Sequence, residues 1–133
     1  GFDADQVDGL SRGLYQRFRR NMHRLPAIIT RLKRTRSQYA RFFEDYDILL
    51  SPVLGHTTPE LGWLHPDVPY DTLMERLSAY VSFTPYCNTA GGPALSMPMG
   101  WTEAGLPIGV HLAAGHGQER LLLELGYELE MAG

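Results

Sequence analysis

Ala94-Leu95-Ser96-Met97-Pro98-Met99 and Leu106-Pro107-Ile108-Gly109-Val110-His111-Leu112-Ala113-Ala114 are two apolar runs separated by the turn-rich segment Gly100 to Gly105. Short runs punctuated in this way predict two strands folded back as an antiparallel pair. Upstream, Asp47-Ile48-Leu49-Leu50-Ser51-Pro52 is another apolar run, stopped by proline, the pattern of a buried strand that delivers a loop. That loop, Val53 to Pro69, holds Pro59, Pro66, Gly55 and Gly62, so its backbone is expected to be stiff and irregular. Asp71 is placed to cap a helix from Thr72 to about Phe83, with Glu75 in its first turn, and Pro85 closes it by forcing Thr84 out of helical angles. Downstream of the hairpin, Gln118 to Met131 sets Leu121, Leu122, Leu125 and Leu129 on one helical face, with Glu124, Glu128 and Glu130 toward water.

Working back toward the N-terminus, Leu10, Leu14, Phe18 and Met22, then Ile28, Ile29, Leu32, Tyr39, Phe42 and Phe43 recur at helical intervals from Asp5 to about Tyr46. Pro26 divides the two sets and predicts either two helices or one bent helix. The whole reads as α/β: basic helices over 1–46, then strand, loop, helix, hairpin and helix over 47–133, in a single unit 1–133. A chain of 133 residues suffices for one core and is short for two.

Composition narrows the function classes. With 44% hydrophobic and 20% charged residues and no apolar run near ~20 residues, nothing in the sequence predicts a membrane span. A single cysteine, Cys87, forms no internal disulfide and, lacking His or Cys partners at ligand spacing, no zinc site; a reducing, cytoplasmic setting is the expectation. Gly1 is not preceded by Met or by a signal-peptide core, which suggests a fragment boundary.

Charge is unevenly spread. Arg12 to Arg41 contains ten basic residues and no Asp or Glu, while the net charge of the chain is -3. Such a stretch, interleaved with Tyr15, Phe18 and Tyr39, could track the phosphates of a nucleic acid or serve as a protein interaction module. The regular apolar stripe favours the alternative, a solvated face on helices packed against another body, so nucleic acid is not the expected partner.

Catalytic motifs are absent. No Gly-x-Ser-x-Gly elbow occurs, and His23, His56, His65, His111 and His116 show no metal-ligand spacing. Gly91-Gly92, Gly115 and Gly117 do not fit phosphate loops and read as turns; Cys87 reads as packed rather than nucleophilic. No metal and no cofactor is expected.

The words Asp47-Ile48-Leu49-Leu50-Ser51-Pro52, Phe83-Thr84-Pro85-Tyr86-Cys87-Asn88-Thr89-Ala90-Gly91-Gly92-Pro93-Ala94-Leu95-Ser96-Met97-Pro98-Met99-Gly100 and Gly105-Leu106-Pro107-Ile108-Gly109-Val110-His111-Leu112-Ala113, followed by Glu119, Leu121, Leu122 and Tyr127-Glu128-Leu129-Glu130, stand in that order. Each is weak alone; together, the segment Asp47 to Glu130 resembles the C-terminal part of the amidase-signature family. The resemblance implies strands of a mixed β-sheet flanked by helices, and a small-molecule amide substrate hydrolysed to acid plus ammonia or amine. It further implies a serine nucleophile, a second serine in a cis peptide and a lysine, all in an upstream Gly- and Ser-rich region. No such region is present, and Lys33, the only lysine, lies among arginines on an amphipathic helix, so no catalytic residue is assigned. This chain alone is expected to be inactive.

By position, the family's acyl-channel wall falls on Ser78, Val81 and Pro85. Offsets of three and four place these on one side of a helix, though periodicity does not separate core from pocket lining. Glutamine-using family members tend to place Asp where Val81 stands; Val81 offers no carboxylate to an ammonium and favours an uncharged or apolar acyl group. Trp63 and Tyr86 are further candidates for apolar substrate contact. Strands that should pair outside this chain leave open edges, which adds a homodimer to the expectations.

Overall fold

The computed structural model describes residues 7–132. The proposed start of the first helix at Asp5 lies outside them. Helix α1 spans Gly9–Asn21, a short 3-10 turn follows over Met22–Arg24, and α2 spans Leu25–Asp45. Asp8 caps α1, its carboxylate accepting from the Ser11 N–H and hydroxyl, each at 2.9 Å, and Arg19 and Arg20 sit in the last turn, where cations complement the helix dipole. Pro26 lies in the first turn of α2, where its missing N–H costs nothing, so the proline starts a second helix.

Strand β1 (Ile48–Pro52) precedes the proline-rich loop; α3 is Tyr70–Tyr80, α4 is Pro85–Ala90, β2 is Ala94–Trp101, β3 is Pro107–Ala114 and α5 is Glu119–Ala132. The sheet has three strands in the order β1-β3-β2, and both ladders are antiparallel. The hairpin, the terminal helix and the strand ahead of the loop all stand where the hydrophobic patterns put them.

Two expectations are corrected. Asp71 does not cap α3: Pro69 occupies the cap position without a side-chain bond, and Asp71 sits inside the first turn, where its charge still favours the dipole. The helix also stops at Tyr80 rather than Phe83, and Pro85 opens a second short helix, α4. Gly91 ends α4 in the left-handed region (φ 73°), its N–H donating to the Cys87 carbonyl at 2.8 Å. Asn88 is an exposed residue of α4.

Side chains alternate across the sheet. On one face Leu112 and Ala114 pack with Leu122 of α5, supported by Ile48, Leu95, Met97, Val110, Leu125 and Leu129. Gly126 lets α5 close on β2, since a Cβ there would lie 2.7 Å from Leu95 Cδ2. The other face carries Ala113 and Leu49 against Tyr39 and Phe43 of α2 and Tyr86, Cys87 and Ala90 of α4. Full burial of Leu112 is worth roughly 1.5–3 kcal/mol by transfer alone.

Candidate functional site: the junction of α3 and α4

The residues expected to form a pocket wall cluster where α3 gives way to α4. Val81 caps the C-terminus of α3, its N–H donating to Leu77 at 2.9 Å. Ser82 turns its hydroxyl back onto the carbonyls of Ser78 at 2.9 Å and Ala79 at 2.7 Å, satisfying groups that a helix end leaves open. Pro85 then begins α4. Ser78, Val81 and Pro85 therefore do not share one helix, as their spacing suggested; they belong to the end of α3, its cap and the start of α4.

Their exposure bears on the choice between core and lining. Ser78 and Pro85 are exposed and Val81 is half-buried. No described element covers the first two, so they are not core of this chain. The Ser78 hydroxyl donates to the Met74 carbonyl at 2.7 Å, which keeps both oxygen lone pairs available as acceptors.

Trp63 sits elsewhere, on the proline-rich loop. Arg76 of α3 donates to the Trp63 carbonyl at 2.6 Å and lays its guanidinium 5.1 Å from the indole centroid. The His56 ring meets Trp63 edge-on with centroids 5.0 Å apart and lies 5.0 Å from Tyr80. With the Gly55 N–H bonded to the Tyr80 carbonyl at 2.8 Å, the loop is fastened along α3. Tyr86 points the other way, onto the sheet: its ring is 6.1 Å from Tyr39 and stands perpendicular to His111 at 5.9 Å. Burial, with Cys87 beside it, pushes the Tyr86 phenol up to about 12. Trp63 and Tyr86 thus belong to two separate clusters.

Sequence reasoning passed over a polar pair inside the sheet. Ser51 of β1 and His111 of β3 are cross-strand partners, with Ser51 Oγ 3.3 Å from His111 Nδ1, and Ser96 is His111's neighbour on the other side. His111 is only 4% exposed, and burial lowers its pKa, so the ring is neutral at pH 7. The available signal was a histidine in the middle of an apolar strand, which demands a partner. The pair ties β1 to β3 across the sheet.

Cys87 is buried, and burial raises its thiol pKa, as expected of a packed cysteine. Lys33 is exposed on α2. Among the described residues, no group of three or more His, Cys, Asp or Glu is placed to hold a metal, and no helix is long and apolar enough to cross a membrane.

The profile of the Amidase family matches residues 6–123, and the chain belongs to that family. AmiC of Mycobacterium tuberculosis, an amidase by name, is 47% identical over 131 residues, covering 98% of this chain and 28% of AmiC. The 6-aminohexanoate-cyclic-dimer hydrolase of Paenarthrobacter ureafaciens is 36% identical over 114 residues, 80% of this chain and 23% of the relative. A solved structure of a 6-aminohexanoate cyclic dimer hydrolase superimposes with a TM-score of 0.82 at 27% identity, covering 98% of this chain and 29% of that one. The chain spans less than a third of the length of these relatives. The findings support the amidase reading over the nucleic-acid or interaction module.

Proposed function

We propose that the whole protein hydrolyses a carboxylic amide to acid plus ammonia or amine, and that this chain contributes scaffold and one wall of the substrate pocket. In that reading the serine nucleophile, its cis-serine partner and the lysine come from polypeptide outside this chain, no metal or cofactor takes part, and the setting is cytoplasmic. The observation that carries it is the family match over residues 6–123, joined to a chain whose only lysine is exposed on α2.

Ser78, Val81 and Pro85 are the wall, supported by their grouping at one helix junction and by the exposure of the outer two. Trp63 and Tyr86 act from either side of that junction, one through the loop and one through the sheet face. The apolar Val81 suits an uncharged acyl group. Residues 1–133 act as one folding unit in this arrangement.

The division of labour is tested with a fluorophosphonate probe and simple amides. The longer protein should be labelled and active; this chain alone should show neither. Covalent labelling of this chain at a serine would end the proposal.

A further inference from the structure

The proline-rich loop and α3 are joined by contacts made wholly within this chain. Val53, at the start of the loop, donates its N–H to the Gly109 carbonyl of β3 at 3.1 Å, and Gly55, two residues on, donates to the Tyr80 carbonyl at 2.8 Å. Glycine makes the room on both sides. A Cβ at Gly109 would come within 2.8 Å of Val53 Cγ2, and one at Gly55 would overlap the carbonyl oxygen of Ala79. Val53 to Gly55 thus bridge the sheet to the last turn of α3, with no space for a larger residue at either contact.

The end of α3 uses that bridge. The last carbonyls of a helix find no partner inside it. Here Leu77 receives the Val81 N–H at 2.9 Å, the Ser82 hydroxyl lies against the carbonyls of Ser78 and Ala79, and the carbonyl of Tyr80 is taken by Gly55. One turn earlier, on the same face as Tyr80, Arg76 holds the far part of the loop. It binds Trp63 twice, through the carbonyl at 2.6 Å and through the indole, and the His56 ring packs against both Trp63 and Tyr80. A guanidinium can donate in its plane and stack with its face at once, which a lysine cannot copy in full.

Tyr80 directly precedes Val81 and follows Ser78 by two residues, so whatever fixes Tyr80 also fixes both of them. We infer that Arg76 and Gly55 are positioning residues that set where Ser78 and Val81 stand relative to the sheet, and thereby which acyl lengths the pocket accepts, an assignment that rests on the amidase reading. Neither residue touches substrate. The clasp holds the wall and not the nucleophile, which other polypeptide supplies. Loosening it therefore weakens the hold on acyl groups long enough to reach the wall and spares those too short to do so.

Straight-chain amides from acetamide to hexanamide test it in the longer protein, with Arg76→Met, Arg76→Lys and Gly55→Ala beside the native enzyme. Arg76→Met keeps an apolar stem and loses the charge and the donors. The ratio of kcat/KM for hexanamide to that for acetamide should fall about tenfold in Arg76→Met, through KM more than through kcat. Gly55→Ala should move the ratio the same way; if that variant does not fold, the Arg76 pair decides. Arg76→Lys, which keeps a cation and a donor, should lie between Arg76→Met and the native enzyme. Hydrogen exchange read by mass spectrometry should quicken at the Gly55 and Val81 amides of Arg76→Met and stay as it was in β3. A loss equal at every acyl length, an unmoved length preference, unmoved exchange at Gly55 and Val81, or Arg76→Lys no better than Arg76→Met overturns the positioning role alone. A native enzyme that neither cleaves amides nor takes up a fluorophosphonate overturns the amidase reading itself, and the positioning role with it.

Discussion

Tyr39 donates its hydroxyl to the carbonyl of Ala114 at 2.6 Å, tying the second helix to the end of the last strand across 75 residues of sequence. Burial keeps that phenol protonated far above its ordinary range. Tyr39→Phe removes the donor and leaves a buried carbonyl short of a partner, which should cost about 1–3 kcal/mol. Gly92→Ala should do at least as much harm, since its Cβ would overlap the Tyr39 ring and hydroxyl. Urea unfolding monitored by circular dichroism checks both, and an unchanged midpoint in Tyr39→Phe would show that the tie carries no weight.

The buried His111 makes stability depend on pH. Burial lowers its folded pKa below the unfolded value of 6.5, so between the two the unfolded chain binds more protons than the folded one. Stability therefore rises with pH through that window and is lost as pH falls from 6.5 toward the folded pKa. The urea midpoint should drop on acidification in the native chain and drop less in His111→Gln. Equal slopes would mean that another group governs the acid limb.

Cys87 should resist thiol reagents in the folded state, because it is buried and its pKa is raised. Labelling by a disulfide reagent is expected to follow unfolding, accelerating with denaturant in parallel with the loss of helical signal. Rapid stoichiometric labelling of native protein would contradict the packing described.

Val81 tests the pocket wall in the longer enzyme. Val81→Asp puts a carboxylate at the α3–α4 junction and should lower kcat/KM for apolar acyl amides by about tenfold or more. Amides with an ammonium near the carbonyl should gain. Equal effects on both substrate classes would remove Val81 from the wall.

Local signals carried most of the fold. Apolar runs bounded by proline and turn residues located β1 and the hairpin, a 3.6-residue period located α5, and Pro26 divided the first two helices. What escaped was set by ambiguous or distant partners. Pro85 read only as a terminator, although proline at one end of Pro85–Ala90 and Gly91 at the other is also the signature of a helix of its own. That misreading placed Ser78, Val81 and Pro85 on a single helical face. The Ser51–His111 pairing depends on the register between strands 60 residues apart, which no local pattern states.

Because β3 lies between β1 and β2, the last of these three strands in chain order is the one both others require. Until Ala114 leaves the ribosome, Ile48–Pro52 and Ala94–Trp101 lack the ladders described here, and nascent chains ending before the hairpin turn would expose two strands without this partner to aggregation. Within this three-stranded sheet, a stop anywhere ahead of Pro107 removes both ladders at once.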